Sequence, residues 1–192
     1  MDTGKRHYSV TEAYWLLYDM IRTAPSLYKA RRHMLIDTKL EERIMLAVTQ
    51  VNECPLCSYA HTKIALKSGI TEAEIRLLLA GTMDTIPSDE LEAIMFAQYY
   101  ADQRGRMAGV AWQNLQKRYG NMKARGILGA VRMIMVGNVY GIAAGSFCKR
   151  WIGKPDKRSS LGYELVLLLS LIPFVLFASL HALMTSWRSP GL

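Results

Sequence analysis

The sequence predicts an all-α fold, followed by a single C-terminal transmembrane helix. Helix-forming residues (Ala, Leu, Met, Glu, Lys and Arg) dominate, and few stretches alternate apolar with polar residues as strands do. Near the C-terminus the composition shifts abruptly, and residues 165–180 carry no charge. Since the chain has 192 residues, 51% of them hydrophobic, it is long enough for one domain with a buried core and an appendage.

Apolar periodicity predicts five helices in the first eighty residues, covering approximately 11–24, 26–34, 38–53, 55–67 and 72–80. Pro25 is expected to end the first helix because proline removes a helical hydrogen bond and crowds the preceding turn. Gly69 fits a left-handed cap that closes the fourth helix. Thr71 and Glu74 form a capping-box pattern that opens the fifth.

Three more helices are predicted, over approximately 88–104, 108–119 and 122–147, with breaks at Gly105 and Gly120. In the last of them Gly137, Gly141 and Gly145 are spaced by four, so they form a smooth strip on one face. We interpret this strip as a surface for core or subunit packing rather than as a functional feature.

The main candidate site is the stretch 53–61, which reads Glu-Cys-Pro-Leu-Cys-Ser-Tyr-Ala-His. Pro55 suits the first position of a helix, which places Cys54 at or near the N-cap. Cys57 and His61 then follow at i+3 and i+7, so all three side chains share one helical face. The positive end of the helix dipole and a nearby imidazole both favour a thiolate, which is the nucleophilic form. The pattern therefore indicates redox chemistry.

Other interpretations of the cysteines remain open. The pair could be small buried hydrophobic residues, or ligands of a zinc site, although a structural zinc site needs four ligands and Cys148 is the only other cysteine. A static disulfide is not expected in a reducing compartment. Cys148 is interpreted as inert, with lipidation or an intermolecular disulfide as the alternatives. The other histidines have no partner pattern: His7, His33 and His181.

The C-terminal segment is predicted to be a membrane anchor. We divide the chain into a redox domain (1–148), a basic linker (149–163), a transmembrane helix (164–187) and a short tail (188–192). The apolar run is long enough to cross the hydrocarbon core, and its Pro173 is tolerable there. Tyr163 and Trp187 stand where interfacial aromatic residues are expected. The alternative is a hydrophobic helix buried against the domain or a partner.

The charges that flank this segment predict its orientation. Five basic residues precede the apolar run and only Arg188 follows it, so the positive-inside rule predicts a single-pass protein with its redox domain facing the cytoplasm. No secretory signal peptide is expected at the N-terminus. The formal net charge of +8 is spread over helix faces without a nucleic-acid-binding motif, so nucleic acid is not an expected partner.

Glu42, eleven intervening residues and the C-x-x-C-x-x-x-H motif from Cys54 to His61 resemble the alkylhydroperoxidase D branch of the carboxymuconolactone decarboxylase-like superfamily. The run from Thr62 to Ile75 also resembles that family's helix, glycine turn and capped helix. The specific match covers about 35–80, and the helical order up to about 147 is compatible with it.

This resemblance implies an all-α, homo-oligomeric domain that reduces hydroperoxides without a bound cofactor or metal. Carried over by position, Cys57 attacks the peroxide, Cys54 resolves the product to a disulfide, His61 transfers protons and Glu42 orients His61. The reductant would be an external dithiol protein, such as one of the lipoyl type. Some members have a second histidine inside the motif, where this chain has Pro55-Leu56, so one proton-relay group of those members is absent here.

The resulting hypothesis is a membrane-anchored, thiol-dependent hydroperoxide reductase or dithiol–disulfide oxidoreductase of antioxidant defence. One alternative is a non-redox decarboxylase of the same superfamily, although that branch generally lacks the cysteine pair. A second is a zinc-binding structural or scaffold protein on the membrane, and a third is a peroxide sensor.

Overall fold

The computed structural model describes residues 7–186, and within them the chain is all-helical, as predicted. Its seven helices are α1 (Val10–Arg32), α2 (Thr38–Asn52), α3 (Pro55–Lys67), α4 (Glu72–Leu79), α5 (Leu91–Asp102), α6 (Gly109–Trp151) and α7 (Leu161–Met184). Helix α6 lies at the centre and packs against α1, α2, α3, α5 and α7. It is therefore the element on which both the candidate site and the C-terminal helix rest.

The predicted break at Pro25 is wrong, because α1 continues through this residue to Arg32. The second predicted helix is thus the end of α1. The cause is long-range packing: a Cβ added at Gly129 of α6 would lie 2.9 Å from Leu27 Cβ and 3.1 Å from the Thr23 carbonyl oxygen. This close contact of two helix backbones stabilises α1 on both sides of Pro25 and outweighs the one hydrogen bond that the proline removes.

Gly120 interrupts α6, as the sequence predicted, but it forms a kink rather than a loop. Its backbone has φ 72° and ψ 162°, a conformation that is accessible to glycine and not to other residues. The helical path resumes directly after it and extends to Trp151, and α7 begins at Leu161. Residues 152–160, which include most of the predicted basic linker, separate these two helices.

Two helices of the described chain are long and apolar enough to cross a membrane, α6 and α7. In the most apolar part of α6, 78% of the residues are buried, as is typical of a core helix, whereas in α7 the figure is only 17%. Helix α7 packs along α1 and α6 with a narrow stripe of residues and exposes the rest. A C-terminal membrane helix is therefore plausible. Trp187, Arg188 and the tail 188–192 lie outside the described residues.

The start of α1 is held by an ion pair that is sensitive to acid. Glu12 closes a capping box with Ser9 and accepts hydrogen bonds from the Arg104 guanidinium at 2.7 and 2.9 Å. These hydrogen bonds lower the pKa of Glu12 from 4.5 to about 2. Because the carboxylate form is favoured in the folded state, the stabilisation is present above pH 4.5 and is lost as the pH falls towards about 2.

Substitution Glu12→Gln is expected to reduce stability at neutral pH and to flatten the fall in stability over this acidic range. Thermal unfolding as a function of pH measures both effects. Glu92→Gln is the matched control, because Glu92 is half-exposed and its ion pair with Arg118 spans 4.0 Å. An unchanged acid profile in Glu12→Gln would contradict the assignment.

Candidate active site

The two cysteines of the candidate site lie at the start of α3, where the sequence placed them. Cys54 is the N-cap and Pro55 the first helical residue. The residue before them, Glu53, has left-handed backbone angles (φ 52°, ψ 49°), so that only Glu53 and Cys54 separate α2 from α3. This short turn holds the cysteine pair close to the C-terminal end of α2. Glu42 lies on the same helix, nearer its N-terminal end.

Cys54 and Cys57 are joined by a disulfide, with their Cα atoms 5.4 Å apart. The backbone N–H of Cys57 points at Cys54 Sγ over 3.3 Å. In the reduced protein the same N–H, at the positive end of α3, favours the thiolate of Cys54. Cys57 is slightly more exposed than Cys54, 8% against 1%, and its sulfur lies 3.5 Å from the carbonyl oxygen of Gly137. The two sulfurs therefore have different electrostatic surroundings.

His61 and Glu42 form the second half of the site. His61 Nδ1 lies 2.9 Å from Glu42 Oε2, and the Glu42 side chain is only 7% exposed. A carboxylate on Nδ1 keeps the proton on that nitrogen, which leaves Nε2 as the nitrogen able to accept a proton. His61 follows Cys57 by four residues on α3, so both side chains lie on one helical face.

Glu41 and Glu42 are neighbours in the sequence, but the structure gives them different surroundings. Glu41 pairs with Arg31 at the surface, whereas Glu42 points into the domain and meets His61. The structure thus joins the four residues singled out from the sequence in two pairs, Cys54 with Cys57 and Glu42 with His61, on the neighbouring helices α2 and α3.

Helix α6 closes the site with a glycine whose role was not predicted. A Cβ added at Gly141 would lie 2.6 Å from Cys57 Sγ and 2.9 Å from Cys54 Sγ, which is closer than carbon and sulfur can approach. The glycine strip had been interpreted as a packing surface. The spacing of four was visible in the sequence, but nothing in it indicated that the strip faces the two sulfurs.

A cavity of about 260 Å³ opens beside Cys54, lined by Thr49, Gln50, Glu53, Cys54, Pro55, Ser58 and Leu79. Behind this cavity Thr49 Oγ1 donates to the buried Asn138 Oδ1 over 3.2 Å, which links α2 to α6. Thr49 and Asn138 were not predicted from the sequence. The cavity gives a small molecule or an extended side chain a route to the buried sulfur of Cys54.

In residues 7–186 no group of three or more His, Cys, Asp and Glu side chains is arranged to hold a metal ion. Cys148 is exposed near the C-terminal end of α6, away from α3. The zinc alternative therefore finds no further ligands near Cys54 and Cys57 in the described part of the chain.

Residues 26–101 match the model of the carboxymuconolactone decarboxylase family. No curated protein and no solved structure matches the chain significantly. The matched segment runs from the second half of α1 to α5 and contains the disulfide and the Glu42–His61 pair. This agrees with the resemblance that the motif predicted. Residues 26–101, which carry the whole set of predicted site residues, are therefore similar to the carboxymuconolactone decarboxylase family.

Proposed function

We propose that this protein is a thiol-dependent hydroperoxide reductase that uses Cys54 and Cys57 as a redox-active pair. The observation that carries the proposal is the disulfide at the N-terminus of α3, with a carboxylate-bound histidine one turn beyond Cys57. The decarboxylase branch of the superfamily generally lacks such a pair. The dithiol, the imidazole and the buried carboxylate together supply a nucleophile, a proton carrier and its orienting partner.

The first step is attack by the Cys57 thiolate on the peroxide. A sulfur–oxygen bond forms, the oxygen–oxygen bond breaks, and two electrons pass from sulfur to the substrate. The departing alkoxide takes the proton that the Cys57 thiol gave up on ionisation, for which His61 Nε2 is the proposed carrier, with Glu42 holding the ring through Nδ1. Cys57 is thereby converted to a sulfenic acid.

The second step is attack by Cys54 on that sulfenic acid. A sulfur–sulfur bond forms, the sulfur–oxygen bond breaks, and the hydroxyl leaves as water with the proton that the Cys54 thiol gave up, which gives the disulfide present in the structure. The N-terminal N–H groups of α3 favour the Cys54 thiolate that this step needs. An external dithiol, such as a lipoyl group on a partner protein, would then reduce the disulfide, and the cavity beside Cys54 gives such a group room to approach.

The domain is further proposed to be a homo-oligomer that works on the cytoplasmic side of a membrane. The flanking charges favour a single pass of α7 through that membrane. A spanning α7 would have to leave α1 and α6, against which it packs. The contacts of α7 with α1 and α6 therefore bear on whether it spans the membrane or lies on its surface.

The test is thiol titration of the reduced full-length protein in detergent, before and after one equivalent of an organic hydroperoxide. We expect the loss of two thiols in the parent protein. Cys54→Ser is expected to stop at a sulfenic acid that a dimedone probe traps, and Cys57→Ser is expected to keep its remaining site thiol. Cys148→Ser is the control and should behave as the parent. Retention of all thiols in the parent would exclude the peroxidase.

A further inference from the structure

Helix α7 has the polarity of a lipid-facing helix, with its polar residues directed into the protein. Glu164 is fully buried and forms a two-pronged ion pair with Arg150 at 2.9 and 3.0 Å. His181 Nδ1 lies 3.1 Å from the Tyr14 hydroxyl, and Thr185 Oγ1 lies 2.7 Å from the Tyr18 hydroxyl. Each of these α7 groups finds its partner in α1 or at the end of α6.

The outward face of α7 carries large apolar side chains along its whole length. Those at least half exposed are Val166, Leu169, Ile172, Leu176, Phe177, Leu180, Leu183 and Met184. A helix at a water-facing surface normally has the opposite arrangement, with its apolar stripe towards the core. A continuous apolar face of this length on a folded domain is typical of a surface that contacts lipid or another protein.

Charge decides between these two occupants. Lys149 in the last turn of α6, and Lys154 and Lys157 in the segment that leads into α7, are exposed, as is Trp151. The α7 helix of a second copy would offer these lysines no carboxylate, because Glu164, its only acidic residue, is buried against Arg150. An anionic bilayer surface would instead pair its headgroups with the lysines and accept the apolar side chains and the tryptophan.

The packing of α7 also bears on whether this helix crosses the membrane or lies in its plane. It runs parallel to α1 from the contact of Tyr163 with Tyr8 to the contact of Thr185 with Arg22. Along this stretch α1 carries Asp19, which pairs with the buried Arg132 at 3.6 Å. If the docked α7 crossed the bilayer, charged groups of the domain would enter the hydrocarbon as well, which is costly. If α7 crossed alone, Glu164, His181 and Thr185 would lose their partners.

We propose that α7 stays docked on α1 and α6 and lies in the plane of an anionic membrane, with its outward apolar face among the lipids. The inference rests on the membrane association proposed above and replaces a spanning helix by one that lies on the surface. The whole domain then sits against the bilayer, and the site is held at a constant distance from it.

Vesicle flotation of the full-length protein tests the occupant. We expect binding to vesicles of equimolar phosphatidylcholine and phosphatidylglycerol, and weaker binding to phosphatidylcholine alone. Ile172→Lys is expected to lower partitioning by about tenfold or more, because it puts a charge in the middle of the lipid-facing surface. Met95→Lys, at a half-exposed position of α5, is the matched control and should bind as the parent does. Absence of flotation, or a lipid-independent dimer broken by Ile172→Lys, would overturn the proposal.

Labelling with a membrane-impermeant maleimide tests the direction. Gly162→Cys and Ser186→Cys, at the two ends of α7, are each placed in an unreduced Cys148→Ser background, in sealed membrane vesicles from expressing cells. An in-plane helix gives both positions the same accessibility before and after permeabilisation. Opposite accessibility would establish a spanning helix and overturn the inference. The thiol titration in detergent does not depend on the orientation of α7, so it tests the peroxidase proposal independently of this inference.

Discussion

Substitution Gly141→Ala is expected to slow peroxide-dependent disulfide formation by about a hundredfold, because it misplaces the two sulfurs. The added Cβ would lie 2.6 Å from Cys57 Sγ and 2.9 Å from Cys54 Sγ, so α6 or the start of α3 must move. Overpacking of this kind also costs about 1–3 kcal/mol of stability. The rate of thiol loss after addition of hydroperoxide measures the first effect, and chemical denaturation the second.

Gly145→Ala is the matched control for this prediction. Gly145 lies one turn further along α6, and a Cβ there would meet nothing within 4 Å. Alanine is favoured over glycine inside a helix by up to about 1 kcal/mol, so this variant should be slightly more stable, with an unchanged oxidation rate. Equal oxidation rates in the two variants would show that close contact between α6 and the sulfurs is not required.

Substitution Arg43→Leu is expected to destabilise the protein by about 3–5 kcal/mol. Arg43 is a buried residue of α2 whose guanidinium donates to Glu74 at 2.7 Å and to Glu90 at 2.8 Å. It thereby connects α2 to α4 and to the start of α5. Its removal leaves two carboxylates that are largely shielded from water without their cation, and urea denaturation at neutral pH measures the cost.

Arg31→Leu provides the comparison, because it also removes an arginine that pairs with a glutamate. Arg31 bonds Glu41, but its side chain is 43% exposed, against 8% for Arg43. Exposed pairs contribute about 1 kcal/mol or less, so this variant should remain near the parent. Similar losses in the two variants would mean that burial does not determine the strength of these ion pairs.

The helices and the site residues were largely predictable because short-range patterns encode them. Pro55 after Cys54 predicted the start of α3, and the structure begins that helix there. The spacing from Cys57 to His61 predicted a shared face. The resemblance of the whole motif to the alkylhydroperoxidase D branch singled out Glu42, which the structure pairs with His61. The roles of these residues in catalysis stay predictions until the thiol titration is done.

The continuation of α1 through Pro25 could not be predicted in this way. The local preference for a break was real, but it was outweighed by packing against Gly129, about a hundred residues further along the chain. The same holds for Gly141, since its spacing from Gly137 and Gly145 indicates a smooth face without saying what lies opposite.

By itself the sequence determined the all-helical class, the caps, the cysteine pair with its histidine, and the apolar character of the last helix, because each depends on residues close together in the chain. Glu42 was singled out by the resemblance of the longer motif to a known family. Only the tertiary structure decided that α6 presses a glycine against both sulfurs and that α7 turns its polar residues inward. These features depend on contacts between helices that are far apart in the chain. Hydrophobic burial drives such contacts and is non-directional, so a local sequence pattern does not show which helix faces which.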